Sequence, residues 1–137
     1  MSDIDFKHVL PAGWSRAVGF SYAVEARGSR HLSIAGQIAR HQGQGNVNGS
    51  LSFGQQWDIA LGNVVALVQA AGGTAQHITA LRIYVTNMEE YYAFEKARAE
   101  AWRKHLGKHF PASTLVQVAG LVDLNAMVEI EAEAILP

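Results

Sequence analysis

The chain has 137 residues, about half of them apolar, a formal net charge of −1 and no cysteine; it is one domain's worth of sequence, 1–137, without a disulfide framework or thiolate chemistry. The near-neutral charge lacks the basic patch or stripe by which a nucleic-acid binder attracts phosphates. No stretch approaches the ~18 apolar residues of a membrane span, and the opening MSDIDFKHVL has two early acids and no long apolar run, unlike a signal peptide, so the expectation is a cytoplasmic protein with neither membrane nor nucleic acid as partner.

Asp5 to Leu10 reads as a short strand, broken by Pro11 and Gly13. Phe20 to Ala26 mixes small, aromatic and β-branched residues. Gly28-Ser29 then reads as a hairpin turn into a strand over His31 to Ile38, with Leu32, Ile34 and Gly36 on one side. A glycine inside a strand points to a bulge or to close approach by a ligand or another backbone. His41 to Gly49, rich in Gly, Gln and Asn, is a loop.

Ser52 with Gln55 three residues on has the form of a capping box. Trp57, Leu61, Val64, Val65 and Val68 follow at helical spacing as one apolar stripe, and Gly72-Gly73 ends the helix. Ile78 to Thr86 alternates, with Leu81, Ile83 and Val85 opposite Arg82, Tyr84 and Thr86, as in a half-buried strand. Asn87 and Glu90 open a second helix. Tyr91, Phe94, Ala101 and Trp102 form its inner face, and Arg103, Lys104 and His105 complement the negative end of its dipole. After Pro111, Ser113 to Ala119 reads as a strand. In the last strand, Val128 to Leu136, Val128, Ile130, Ala132 and Ala134 share one face and Glu129, Glu131 and Glu133 the other. This order predicts an α/β (α+β) domain with two helices over one face of a mixed sheet.

The three glutamates are the first candidates for chemistry. Alternate residues on a strand stand ~7 Å apart on one side. A solvated sheet face is the plainer reading of such a run. The sharper one puts a glutamate in a cleft, where desolvation and like-charged neighbours make it a general acid or base near neutral pH. The histidines, His8, His31, His41, His77, His105 and His109, form no His-Glu-x-x-His pattern. His105 and His109 are four apart with Gly107 between them, which fits a solvated basic helix end better than a metal site. Gly43, Gly45 and Gly49 precede no Lys-Ser/Thr, so no phosphate loop is present. Ser113 and Thr114 have no histidine nearby in sequence, which leaves a serine nucleophile unsupported.

A wider pattern carries more. Ile34-Ala35-Gly36-Gln37 is followed by Gln55 to Asn63, opening a helix that ends Ala70-Ala71-Gly72, and then by Tyr84-Val85-Thr86-Asn87-Met88. Phe110-Pro111-Ala112 and Val128-Glu129-Ile130-Glu131-Ala132 complete the set. In this order and spacing, over nearly the whole chain, the sequence resembles the Rid family, also called YjgF, whose members include reactive-intermediate deaminases. The resemblance implies a chorismate-mutase-like fold assembled as a homotrimer with a cleft at each subunit interface. It also implies hydrolysis of enamines and imines left by pyridoxal-phosphate enzymes, releasing ammonia and a keto acid, with no cofactor and no metal.

By the same resemblance, Glu129 matches the family's glutamate that positions or activates the attacking water. Gly36 matches the glycine of a Ser-Gly-Gln motif, with Ala35 in place of the serine. Tyr22 matches an upstream tyrosine, with a one-residue ambiguity that would select Ser21. One departure stands out. The best-known deaminases read Pro-Ala-Arg, and that arginine clamps the substrate carboxylate; here the triplet is Pro111-Ala112-Ser113, followed by Thr114. Serine offers one neutral hydrogen bond in place of a charge-assisted, two-pronged pair. Three readings follow. The substrate differs from short 2-imino acids, for example a 2-aminomuconate-like acid; or another arginine, Arg16 or Arg98, enters the cleft; or the trimer binds a small metabolite without turnover. Tyr22, Phe20 and Tyr91 would line an apolar wall, although core packing is the commoner fate of aromatics, as a solvated surface is of arginines. A ribonuclease role, assigned to some relatives, is opposed by the near-neutral charge.

Overall fold

Two short strands, β1 (Asp5–Val9) and β2 (Ala23–Arg27), pair antiparallel as a ribbon apart from the main sheet. The structure, a computed structural model, describes residues 4–137, so the first three residues of the opening segment lie outside it. The main sheet contains β3 (Arg30–Gln37), β4 (Ile78–Val85), β5 (Ala112–Gln117) and β6 (Val128–Leu136), in the order β3-β6-β4-β5. Strand β6 runs antiparallel to both of its neighbours, whereas β4 and β5 are parallel. The sheet is therefore mixed, as the order of elements predicts.

One face of the sheet carries the core. Val128, Ile130, Ala132, Ala134 and Leu136 of β6 and Leu81, Ile83 and Val85 of β4 are buried on it. Helix α1 (Phe53–Ala70) covers them with Trp57, Leu61, Val64, Val65 and Val68, each large apolar side chain contributing roughly 1.5–3 kcal/mol on burial. The capping box forms as read: the Gln55 N–H donates to Ser52 Oγ at 3.2 Å, and the Ser52 N–H donates to Gln55 Oε1 at 2.8 Å. No helix among the described residues is long and apolar enough to cross a membrane.

Three expectations need correction. Gly28-Ser29 is no hairpin turn, because β2 pairs with β1 and β3 pairs with β6. Gly28 instead marks the passage from ribbon to sheet: a Cβ there would collide with the Leu136 carbonyl and lie 2.7 Å from Ile135 Cγ2. The second helix is split into α2 (Met88–Ala93) and α3 (Glu95–Leu106) at Phe94, whose backbone turns to φ −102°, ψ 30°. Its ring lies against the start of α1, 6.2 Å from Phe53 and beside Gly54. The helix end at His105 and His109 is not a solvated one. His105 Nε2 lies 2.7 Å from Asp58 Oδ1, tying α3 to α1, and His109 is buried with its Nε2–H donating to the Ile78 carbonyl at 2.7 Å.

Burial holds the His109 imidazole below its ordinary value of 6.5; the Ile78 carbonyl opposes the shift and the neighbouring His8 and His77 add to it. Below 6.5 the unfolded chain takes up a proton that the folded chain refuses. Stability is therefore full above that pH and falls as pH drops through it. Urea midpoints measured from pH 7 downward should decline before Glu133 and Asp58 begin to protonate, and His109→Asn should flatten that decline.

Candidate functional site

The face of the sheet turned away from the helices is polar. Glu129, Glu131 and Glu133 of β6 stand on it beside Arg82 and Tyr84 of β4, because Tyr84 is in register with Glu129 and Arg82 with Glu131. Arg82 Nη2–H donates to Glu133 at 2.9 Å, and Arg82 Nε lies 3.5 Å from Glu131. Tyr84 donates its hydroxyl proton to Glu131, and His31 Nε2 is 2.9 Å from Glu133. The hydrogen bond from Arg82 holds the Glu133 carboxyl below its ordinary range, and Glu131 pushes the Tyr84 hydroxyl up. Glu131 and Glu133 are thus paired groups on a half-buried face, more engaged than a freely solvated run.

Glu129 differs. Among the described residues it makes no hydrogen bond and no ion pair. Its side chain lies over Gly36, where the β3–β6 register slips between Ile34 and Gln37. A Cβ at Gly36 would overlap the carboxylate oxygen and stand 2.7 Å from both Glu129 Cδ and Cγ. The glycine singled out in the sequence is therefore both at a bulge and under a close approach, and what approaches is a side chain of the same chain.

The other candidates do not gather around Glu129. Ser113 is in register with Leu81 and so belongs to the helix side of the sheet, while Thr114 pairs with Arg82 on the open side. Between Glu129 and Ser113 lie two strand spacings and three residues of β4, roughly 14 Å in all. Arg16 and Tyr22 lie farther along, in a cavity of about 270 Å³ with His8, Phe20, Lys108 and Phe110. Ser21 anchors this cavity to the start of β5. Its N–H donates to the Pro111 carbonyl at 3.2 Å, its hydroxyl donates to the Phe110 carbonyl at 2.5 Å, and His8 Nδ1 is 2.6 Å from its oxygen. With its proton on Phe110, Ser21 is not arranged as a nucleophile activated by His8.

Arg98 and Tyr91 belong to the helix layer. Arg98 Nε–H donates to the Tyr91 carbonyl at 2.8 Å, at the break between α2 and α3, and its guanidinium sits 3.6 Å from the centre of the Tyr91 ring. The helix break leaves a carbonyl to satisfy, and Arg98 satisfies it. Sequence reasoning missed the pairing of Arg82 and Tyr84 with the glutamates and the presence of His8, Lys108 and Phe110 beside Arg16. The alternation of Arg82 and Tyr84 was the available signal, but the inter-strand register that completes it joins residues 45 or more apart in sequence. No three or more His, Asp or Glu side chains among the described residues are placed so that they could hold a metal ion together.

Comparison with known proteins places this geometry. The sequence model of the family described as Endoribonuclease L-PSP matches residues 14–136. The chain is similar to YyfB from Yersinia pestis, a protein of unknown function in the conserved Rid family: 30% identity, TM-score 0.80, 96% of this chain and 98% of that one covered. It is similar to Rv2704 from Mycobacterium tuberculosis, a member of the YjgF/YER057c/UK114 family, at 28% identity and TM-score 0.61, covering 87% and 88%. It is similar to TdcF from E. coli, solved with bound serine, at 25% identity and TM-score 0.68, covering 96% and 99%. No functionally curated protein matches the chain.

The packing of Glu129 on Gly36 is open to a double-mutant cycle. Gly36→Ala should cost about 1 kcal/mol more in the wild-type background than beside Glu129→Ala, since only the former displaces the carboxylate. Denaturant unfolding of the four proteins measures the difference, and an additive cycle would show that the contact carries no energy.

Proposed function

The chain belongs to the endoribonuclease L-PSP family, the YjgF/Rid family, and from that premise we propose that it hydrolyses an enamine or imine with release of ammonia. The observation that carries the reading is Glu129: the one glutamate of its strand with no partner among the described residues, packed over a glycine bulge. An enamine first takes a proton at carbon and gives one up at nitrogen to become the imine. Water oxygen then bonds to the imine carbon as the C=N electron pair moves to nitrogen. Glu129 accepts the water proton and passes it to that nitrogen. The carbinolamine hydroxyl then gives its proton through Glu129 to the amine nitrogen, the C=O bond forms, the C–N bond breaks and ammonia leaves. Written this way, the reaction balances with water alone.

The substrate is other than a short 2-imino acid. Ser113 Oγ–H donates to the Pro111 carbonyl at 3.3 Å, so even its single neutral hydrogen bond is directed at its own backbone. A longer unsaturated acid such as a 2-aminomuconate-like compound, with its carboxylate reaching Arg16, fits better. Because roughly 14 Å separates Glu129 from Ser113 within one chain, the reading puts the two on one substrate only across an interface. One copy supplies Glu129 and Gly36. The next supplies Ser113, Thr114, Tyr22 and Arg16, as in a homotrimer. TdcF holding serine supports a small amino-acid-like ligand on this fold. The second reading, a trimer that binds a small metabolite without turnover, is favoured by the same serine in place of a clamping arginine.

Purified protein supplied with imines generated by an amino-acid oxidase, from small to aromatic and dienoic, should accelerate loss of the larger ones. Glu129→Gln should reduce that rate about 10²-fold. No acceleration with any imine leaves the binding reading. Light scattering should give three times the chain mass, and a monomer would remove the shared cleft.

A further inference from the structure

We propose that the cavity between Arg16 and Lys108 recognises a planar organic dianion, with one negative group on each cation and the unsaturated body against Phe20, Tyr22 and Phe110. The inference deepens the reading that Arg16 and Tyr22 belong to the substrate site, and rests on it to that extent.

Charge is the first argument. Arg16 and Lys108 line the same cavity, and His8 stands beside them; no Asp or Glu lines it among the described residues. In a chain of net charge −1 this is a local excess of positive charge. Neither cation makes a hydrogen bond or ion pair among the described residues; Lys7, Arg27, Lys96 and Arg103 are likewise without one, but none of those four lines this cavity, and the remaining cations of the fold are committed. Arg30 donates to the Pro137 and Ala71 carbonyls, Arg40 to Gly45, Arg98 to Tyr91, and Arg82 and Lys104 to carboxylates. Arg16 offers the flat fork suited to a carboxylate, and Lys108 a point charge. Two separate cations favour a ligand with two separated anionic groups over one with a single group.

Shape is the second argument. Phe110 is a fixed wall: it stacks on Trp102 at 5.8 Å and 10°, and Trp102 Nε1–H donates to the His109 carbonyl at 3.1 Å. Phe20 and Tyr22 meet edge to face at 5.4 Å, and Trp14 continues the series 5.5 Å from Tyr22. Ser21, bonded to Phe110 and Pro111, holds the two walls together. Phe110, held in place by its stack on Trp102, offers a flat partner a flat ring, while Phe20 and Tyr22, with planes 81° apart, form a corner and not a slot. The volume of about 270 Å³ suits a single ring or a six-carbon diacid.

The test is calorimetric titration at low salt with three matched probes. Terephthalate is planar with two charges, benzoate planar with one, and trans-cyclohexane-1,4-dicarboxylate carries two charges without planarity. Terephthalate should bind at least tenfold more tightly than either of the others. Arg16→Gln and Lys108→Gln should each weaken it about tenfold, while Arg103→Gln, exposed on α3 outside the cavity, should not. Equal affinity for benzoate, or binding indifferent to Lys108→Gln, overturns the proposal. Imine hydrolysis with no terephthalate binding overturns it and spares the hydrolase reading. Terephthalate binding with no hydrolysis of any imine supports it and sinks that reading.

Discussion

Strand β6 faces two different environments, and most of the structure follows from that. It lies second in the sheet, hydrogen-bonded on both sides, with every other residue pressed against helix α1 and the residues between turned to the open face. A shift of one residue in its pairing would drive Glu129, Glu131 and Glu133 into the core. The register with β4 is therefore firmly set by burial, and it is this register that brings Arg82 and Tyr84 opposite the glutamates. Three carboxylates along one strand repel one another; Arg82, reaching two of them, makes the arrangement tolerable, and Glu129 is left uncommitted.

Local patterns in the sequence marked out most elements because each depends on neighbours a few residues away. The capping box at Ser52 and Gln55, the stripe from Trp57 to Val68 and the alternation of β4 and β6 all appear as read. The failures are long-range. Nothing local in Gly28-Ser29 tells a hairpin from a crossing between two sheets; that depends on Leu136, more than a hundred residues on. Phe94 splits a continuous helical pattern because its ring packs against Phe53 and Gly54, a tertiary preference that overrides helical spacing. His109 looked like part of a charged helix end, but the chain past Gly107 turns it inward to the Ile78 carbonyl.

The candidate site was legible one residue at a time, but its layout was not. Gly36 and Glu129 do meet, and the strand glycine was a sound signal. Ser113, Tyr22 and Arg16 lie elsewhere because sheet register sets distance: β4 separates β5 from β6, and the Ser113 and Glu129 positions look out from different faces. Arg98, chosen for its charge and helical position, serves the break in its own helix. A residue's type suggests a chemistry, but only the pairing of strands decides which groups can share a substrate.

The commitment of Arg82 to Glu131 and Glu133 also divides the labour of sequence change. Replacing either glutamate leaves Arg82 with one carboxylate in place of two, and replacing Arg82 leaves three carboxylates on one strand with only Tyr84 and His31 as partners, so this set is constrained to vary together. Glu129 has no such obligations. Its neighbour Gly36 limits only the room around it. The strand therefore separates the positions whose charges are tied to their neighbours from the one glutamate that can change without breaking a hydrogen bond or ion pair among the described residues.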